Sequence, residues 1–325
     1  PDPHFSRSAD ELKQIAKDVL DYAVKRGAGA AETEVSEGTG QTVTVRQGEV
    51  ETIEYNRDKG IGVTVYIGQQ RGHASTTDFS PQAIRDTVAA ALSIARFTAA
   101  DDCAGLADPD MLARDFPDLD LWHPWGLTVE RAIELAKACE AAGFAVDKRL
   151  TNSEGATVST QGSHFIYGNT LGFLAGYSGS RHGLWCALIA GKGDEMQRDD
   201  WYETSRDPGE LPDPASVGRR AGSRAVRRLA GRKIATTQAP VVFEAPVASS
   251  LLGHFVSAVS GGNLYRKSSF LLDSAGQAVF APLANVSEQP HVMRGLASTA
   301  FDEEGVATHP REVVRGGVVQ GYFLG

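Results

Sequence analysis

The chain has 325 residues, a formal net charge of −9 and a hydrophobic fraction of 42%. This composition is typical of a folded globular protein of two or three domains, and it excludes a fibre or a wholly disordered chain. No apolar run approaches the roughly 18 residues of a membrane-spanning helix. The acidic balance argues against nucleic acid as a partner. Three widely spaced cysteines without a C-x-x-C pair indicate reduced thiols in the cytoplasm.

Residues 8–97 have the pattern of a small α+β module. Ser8 and Glu11 have the spacing of a capping box, which opens a first helix that ends near Gly27. The helix is followed by four short runs in which apolar and polar residues alternate, at 43–45, 53–55, 61–67 and 73–77. We interpret them as an antiparallel meander with a turn at Gln47-Gly48. Ser80-Pro81 opens a second helix. We expect both helices on one face of the sheet.

The rest of the chain predicts a β-rich middle block and a mixed α/β C-terminal block. An Asp- and Pro-rich stretch, 101–126, reads as a linker. The remaining predicted elements are a helix over 129–142, Gly-punctuated strands over 156–204, a helix over 214–230, a strand over 240–243 and a helix over 247–259. The predicted division is an N-terminal domain at 1–100, a middle block at 101–235 and the start of a C-terminal block at 236–325.

The helix predicted over 214–230 carries five arginines opposite its apolar stripe: Arg219, Arg220, Arg224, Arg227 and Arg228. One interpretation is a nucleic-acid patch. The favoured interpretation is the solvated face of an amphipathic helix, because the interleaved aromatic residues that stack on bases are absent.

Known catalytic motifs are missing from the sequence. There is no P-loop, no G-x-G-x-x-G opening a helix after a strand, and no H-E-x-x-H. Motifs alone therefore predict a cytosolic α+β protein and no particular chemistry.

Several segments, in one order along nearly the whole chain, resemble a known family. The longest is APVVFEAPVASSLLGHFVSAVSGGNLYRKSSFLLD at 239–273. The others are STTDFSPQAI at 75–84, LDLWHP at 119–124, DKRLTNSEGA at 147–156 and GLASTAFDEEGV at 295–306. Together they resemble the PmbA (TldE) type of subunit in the TldD/PmbA metallopeptidase family.

The resemblance implies a cytosolic metallopeptidase complex. TldD-type and PmbA-type subunits of this family pair into a heterodimer whose cavity encloses unfolded peptides during cleavage. The TldD-type subunit holds zinc through H-E-x-x-x-H on a helix and a later cysteine. Family members continue past the segment that matches GGVVQGYFLG, so we expect the C-terminal block to be incomplete here.

The sequence departs from the TldD-type pattern on the helix of the third block. Alignment places Gly253 at the first histidine, His254 at the glutamate and Ala258 at the second histidine. Zinc sites in peptidases need imidazole or thiolate ligands together with a carboxylate base. We therefore expect no metal and no other cofactor in this chain, and zinc in a TldD-type partner.

The same helix predicts two faces. Leu251, Phe255 and Val259 form one stripe, with Leu252 beside it, and we expect part of this surface to pack on the chain's own sheet. The side with Gly253, His254 and Ser257 is expected to face the cavity shared with the partner.

Three residues are candidates for contacts in that cavity: His254, Arg266 and Lys267. The alternative for His254 is a histidine without a catalytic role on a cavity-facing or interface helix, and for the cations a solvated loop pair. The expected function is a subunit of a peptide-degrading or peptide-maturing complex, not catalytic by itself. The alternative is a non-proteolytic adaptor linked to DNA gyrase modulation. Expected partners are a TldD-type subunit and unfolded peptides, with a homodimer of the isolated chain left open.

Overall fold

The computed structural model describes residues 4–324, which divide into two compact units. The first unit comprises the described residues up to Leu112, Asp118–Gly231 and Met293–Leu296; the second comprises Ala113–Pro117, Arg232–Val292 and the residues from Ala297 onward. Within the described chain, no helix combines the length and apolar character needed to cross a membrane.

The first unit is a single antiparallel sheet with four helices, which confirms the α+β class. Its helices are α1 (Ala9–Lys25), α2 (Pro81–Phe97), α3 (Val129–Phe144) and α4 (Pro214–Arg227). Its strands are β1 (Ala30–Arg46), β2 (Glu49–Ile67), β3 (Gln70–Thr76), β4 (Leu150–Asn169), β5 (Leu174–Ala175), β6 (Ser178–Ala190) and β7 (Gln197–Ser205). The strand order is β3-β2-β1-β4-β6-β7, with β5 paired to β4.

The N-terminal meander has three strands where the sequence predicted four. The runs at 53–55 and 61–67 belong to one strand, β2, which pairs with β1 from Glu49 to Tyr66 with a single irregularity near Val45. The intervening residues 56–59 are polar and exposed, and Gly60 is partly buried. They lack apolar alternation but stay extended, because backbone hydrogen bonds to β1 do not depend on side-chain polarity. The predicted capping box at Ser8 and Glu11 is confirmed.

The pairing of β1 with β4 joins the first two sequence blocks in one sheet. Its register runs from Glu32 opposite Asn169 to Val45 opposite Ala156. The sequence blocks on either side of the predicted domain boundary near residue 100 therefore contribute strands to the same sheet.

Both helix pairs pack on one face of this sheet, as expected for α1 and α2. Side chains alternate along a strand, so Val35, Val43 and Val45 of β1 all point to the same face. Val35 packs in the core formed with α1 and α2. Val43 and Val45 pack in a second core formed with α3 and α4. The long strand β1 thus runs under both helix pairs.

A glycine-rich contact holds α3 against α4. A Cβ atom at Gly218 would lie 1.8 Å from the carbonyl oxygen of Cys139, and one at Gly222 would lie 2.6 Å from that of Gly143. Neither position has room for a methyl group, so the two helix backbones are in direct contact. The helix α3 also carries the buried Glu140, whose carboxylate accepts both backbone N–H groups of the β1–β2 turn at Gln47 and Gly48.

The predicted linker 101–126 is wrong in its last third. Leu119 and Leu121 are buried, as is Leu127 directly after the stretch. Trp122 lies against Gly162 of β4, where a Cβ atom would come within 2.8 Å of the indole. This stretch carries no helix or strand, because its apolar residues follow neither period. It covers the sheet between the two helix pairs.

Two arginines of α4 contact their own unit, while Arg219, Arg227 and Arg228 are exposed, in support of the amphipathic interpretation. The guanidinium of Arg220 lies 3.4 Å from the ring centroid of Trp201 on β7, and that of Arg224 lies 5.3 Å from it. Arg224 also donates to Asp199 at 3.1 Å. These cation–π and ion-pair contacts hold Arg220 and Arg224 against β7.

Two arginines fix the segment 293–296 in the first unit. Arg206 donates to the carbonyl oxygens of Gly295 and Leu296. Arg294 donates to three carboxylates: Asp120 at 2.6 Å, Asp207 at 3.1 Å and Glu210 at 2.9 Å. The hydrogen bond from Arg294 lowers the pKa of Asp120 below its ordinary value.

The second unit is a small α+β body. It contains α5 (Ala245–Ala258), α6 (Gly261–Tyr265), β8 (Val286–Glu288), β9 (Arg311–Arg315) and β10 (Val318–Val319), with strand order β10-β9-β8. The strand predicted over 240–243 is wrong, since these residues form no strand and Val242 is 95% exposed. An apolar run of four residues does not by itself supply a neighbouring strand with which to pair.

The N-terminal segment is tied to β1 through Glu37, which is 5% exposed. Its carboxylate accepts hydrogen bonds from the backbone and side chain of both Ser6 and Arg7 at 2.6–3.2 Å. Burial would raise the pKa of Glu37, but these hydrogen bonds outweigh burial and hold it below the ordinary value. A depressed pKa stabilises the fold above the unfolded pKa of about 4.3, and this stabilisation is lost as pH falls through the folded pKa.

We therefore predict that Glu37→Gln lowers the free energy of unfolding by about 1–3 kcal/mol at pH 7, with the difference from the parent chain closing below about pH 4. Urea unfolding followed by tryptophan fluorescence measures this, because all four tryptophans lie in the first unit. The exposed Glu34 on the same strand supplies the control Glu34→Gln. A Glu37→Gln deficit of equal size at pH 7 and pH 3 would contradict the assignment.

Candidate functional site on helix α5

Helix α5 is anchored in the second unit by one side. Phe255 is 5% exposed and Val259, at the C-cap, is fully buried, and both pack in a core with Val313, Val314 and Val319. The ring of Phe255 lies edge-on to Phe280 at 5.0 Å. Since Phe255 and Val259 are four residues apart, they lie on one helix face, as the sequence predicted.

The predicted burial of Leu251 is wrong. Leu251 is 47% exposed and Leu252 is 46% exposed. The buried stripe begins one turn later than the apolar pattern suggested, because the core formed by β9 and β10 is small and reaches only the last turn of the helix. Val247 and Val256 are also exposed, so α5 has apolar flanks on both sides of its anchored stripe.

The side of α5 turned away from this core carries the residues aligned with the metal-binding motif. At about 100° per residue, Gly253 and Ser257 lie opposite Phe255, with His254 at the edge of the same side. All three are exposed. The structure therefore places His254 on the outward side of the helix.

The residues at the aligned ligand positions do not fit a metal ion. A Cβ atom at Gly253 would have no neighbour within 4 Å, while Ala258 is only 8% exposed. Zinc ligands are thiolate, imidazole or carboxylate groups, and neither glycine nor alanine has such a side chain. Among residues 4–324, no group of three or more His, Cys, Asp or Glu side chains could hold a metal.

The turn after α5 positions the two predicted cations. The Asn263 side chain donates to the carbonyl oxygen of Ser257 at 2.8 Å, which links the start of α6 to the end of α5. Arg266 is the C-cap of α6 and donates to the Asn263 side chain at 3.1 Å. Lys267 follows with a left-handed φ of 55°. Both cations are exposed.

The Lys267 backbone belongs to a Schellman-type helix end. The N–H of Ser268 donates to the carbonyl oxygen of Asn263, and the N–H of Lys267 donates to that of Leu264. Glycine is the usual residue at such a position, because a side chain costs about 1–2 kcal/mol in the left-handed region. The backbone conformation of this helix end, rather than a contact of the side chain, therefore sets the direction in which Lys267 leaves the chain.

Sequence reasoning missed the charged cluster around Arg294. Arg294 and Asp120 are 174 residues apart, and no local pattern marks two charged residues at that separation as partners. The available signal was weak: both lie within or beside segments that carry the family resemblance, LDLWHP and GLASTAFDEEGV.

Comparison with known proteins assigns the family. Three sequence profiles match in order: PmbA/TldA metallopeptidase domain 1 at 31–95, the central domain at 122–229 and the C-terminal domain at 236–325. The metalloprotease PmbA homolog of Haemophilus influenzae is 43% identical over 314 residues, covering 97% of this chain and 69% of the relative. The chain belongs to the PmbA/TldD metallopeptidase family. Metalloprotease PmbA of Escherichia coli O157:H7 is 44% identical over 313 residues, covering 96% of this chain and 69% of the relative.

Solved structures have the same fold. A crystal structure from Bacteroides thetaiotaomicron, described as a modulator of DNA gyrase, superposes with a TM-score of 0.90 at 25% identity and covers 97% of this chain and 72% of that one. TldE from Thermococcus kodakarensis superposes with a TM-score of 0.75 at 15% identity, covering 96% and 70%. The second likeness supports the PmbA/TldD-type fold alone.

The difference in burial between Phe255 and Leu251 predicts that replacing each by alanine lowers the stability of the second unit by different amounts. Phe255→Ala should destabilise the second unit by about 3–5 kcal/mol, because it removes a ring from the centre of a small core. Leu251→Ala should cost less than about 1 kcal/mol, because that side chain is half exposed. Hydrogen exchange of peptides covering 245–259 and 311–319 measures both, since this unit has no tryptophan. Equal loss of protection in the two variants would show that the face assignment is wrong.

Proposed function

We propose that this chain is the PmbA-type subunit of a cytoplasmic metallopeptidase complex that cleaves unfolded peptides. In this proposal a TldD-type partner holds the zinc, and the present chain completes the enclosure and contacts the substrate. The observation that carries it is the outward side of α5, where Gly253 and His254 stand at aligned metal-site positions that, together with Ala258, do not fit a metal.

The chemistry of peptide hydrolysis supports this division of labour. Cleavage of an amide requires an activated water and stabilisation of the developing oxyanion. In a metallopeptidase the bound metal supplies these two functions. Without ligands on its own α5, this chain has the means to bind and orient a peptide but not to activate water.

The residues assigned to substrate contact are His254, Arg266 and Lys267. An exposed imidazole can donate to or accept from a peptide backbone. Exposed guanidinium and ammonium groups suit backbone carbonyl oxygens and side-chain carboxylates. The hydrogen bonds among Ser257, Asn263 and Arg266 hold the guanidinium close to the end of α5, which supports a shared role.

The exposed apolar flanks of α5 support a protein partner. Val247, Leu251, Leu252 and Val256 are 38–51% exposed along a single helix, and clustered apolar exposure is typical of an interaction surface. The TldD-type subunit is the partner that we assign to this surface. The free thiols of Cys103, Cys139 and Cys186 support the cytoplasmic setting.

The proposal predicts that peptide cleavage appears only when this chain is mixed with a TldD-type partner. An unstructured peptide is incubated with this chain alone, with a TldD-type partner alone and with the mixture, each with and without chelator. We expect chelator-sensitive cleavage by the mixture and none by this chain alone, because this chain holds no metal. Cleavage by this chain alone at the rate of the mixture would contradict the proposal.

Two variants sharpen the experiment. The triple variant Gly253→His, His254→Glu, Ala258→His should gain no activity alone, because a Cβ atom at position 253 has no neighbour within 4 Å and the hydrogen bonds that orient ligating imidazoles are therefore missing. Leu251→Glu should weaken association with the partner by placing a charge in the assigned interface. Ile94→Glu is the matched control, since Ile94 on α2 is 47% exposed, like Leu251, and should leave association unchanged. Equal effects of Leu251→Glu and Ile94→Glu would reject the α5 interface.

A further inference from the structure

A cavity of about 310 Å³ lies in the first unit, on the helix-bearing face of the sheet between the two helix pairs. Strands β1, β2 and β4 form its floor, with Gln41 opposite both Tyr55 and Thr160 in the strand register. The loop 119–127 forms its wall. The volume is at the lower end of the range found for small-molecule sites. This cavity is formed within the first unit and does not include α5.

The wall of the cavity is aromatic. Trp122 and Trp125 line it, together with Pro124 and Leu127. Gly162 on the floor leaves room for the Trp122 indole, because a Cβ atom there would come within 2.8 Å of it. An apolar body of a ligand would therefore lie against indole rings.

The floor presents a buried donor without a partner. Gln41 is 7% exposed, and its Nε2 atom has no hydrogen-bond partner in the described structure. An unpaired buried amide N–H₂ costs about 1–3 kcal/mol. Gln41 lines the cavity, so a turn of its terminal amide would bring this donor to a ligand that completes it. The group that would satisfy this donor is a hydrogen-bond acceptor.

A cation stands beside that donor. Arg57 lines the same cavity and pairs with Thr39, two residues from Gln41 on β1. Gln41 and Arg57 are thus diagonal neighbours on one sheet face, with Cα atoms about 7–8 Å apart. None of the described lining residues is acidic, so the local charge at the floor is positive.

Two other polar side chains of the cavity, His182 and Thr160, are already hydrogen-bonded. His182 is almost fully buried, and its Nε2 atom donates to the carbonyl oxygen of His123 at 2.8 Å. Its Nδ1 atom is then the acceptor for the Thr160 hydroxyl at 2.9 Å. Burial lowers the pKa of His182, in agreement with this neutral tautomer. His182 and Thr160 are therefore engaged with each other, and the donors that we assign to a ligand are those of Gln41 and Arg57.

We propose that this cavity binds an organic carboxylate with an apolar or aromatic body. The carboxylate accepts hydrogen bonds from Gln41 and Arg57, and the body packs on Trp122 and Trp125. Two sources share this chemistry: the free C-terminal residue of a peptide and a free small acid such as an N-acylated aromatic amino acid. The site does not depend on the proposed proteolytic role.

The test is calorimetric titration with four probes, supported by tryptophan emission. The probes are N-acetylphenylalanine, its primary amide, and a tetrapeptide ending in phenylalanine with either a free or an amidated C-terminus. We expect each acid to bind about tenfold or more tightly than its amide, because the amide loses a charge-assisted bond. Binding of both acids identifies the peptide terminus as a source; binding of N-acetylphenylalanine alone identifies a free acid. Both results support the site.

Two variants separate binding from folding. Arg57→Gln should weaken acid binding about tenfold or more and leave the unfolding midpoint unchanged, since Arg57 is exposed. Gln41→Met should also weaken binding, yet keep or raise the midpoint, because it removes an unpaired buried amide. A purely structural glutamine would lower the midpoint instead. Arg71→Gln on β3, also exposed and outside the cavity lining, is the matched control.

Three results would overturn the proposal. The first is that no probe binds. The second is equal binding of acid and amide. The third is acid binding that survives both Arg57→Gln and Gln41→Met.

Discussion

The pairing of β1 with β4 is the constraint on which the first unit depends. It joins strands from two sequence blocks over a register that runs from Glu32–Asn169 to Val45–Ala156. A slip by one residue would turn every side chain of β1 to the other face, and Val35 and Val43 would leave both helix-packed cores at once. Because the two cores share β1, the helix pairs stand at fixed places along one sheet face, and the space between them is fixed too. The loop 119–127 covers that space and leaves the cavity floored by Gln41.

The predictable parts of the fold are those set by interactions between residues close in sequence. The capping box at Ser8, the helix periodicities and the Gln47-Gly48 turn are encoded within a few residues, and each is present. Residues 56–60 were not recognised as part of a strand, because pairing with β1 keeps them extended without an apolar pattern. The buried loop 119–127 was also missed. Its leucines follow no period, and only the sheet beneath them explains their burial.

The candidate site was predictable in its chemistry but not in its packing. Alignment of Gly253 and Ala258 with metal-site positions required only the sequence. The exposure of Leu251 could not be read from the apolar stripe, since it depends on how far the core beneath α5 extends. The roles of Gln41 and Arg57 needed the strand register, because only pairing places residues 16 apart in sequence on one cavity floor.

The central claim is that this member of the PmbA/TldD family contributes surface rather than metal to its complex. Native mass spectrometry of the chain mixed with a TldD-type partner in the presence of zinc tests it most directly. The account predicts a heterodimer that carries zinc, and collisional dissociation that leaves the metal on the partner and this chain at its metal-free mass. Zinc retained stoichiometrically by this chain after dissociation would contradict the account.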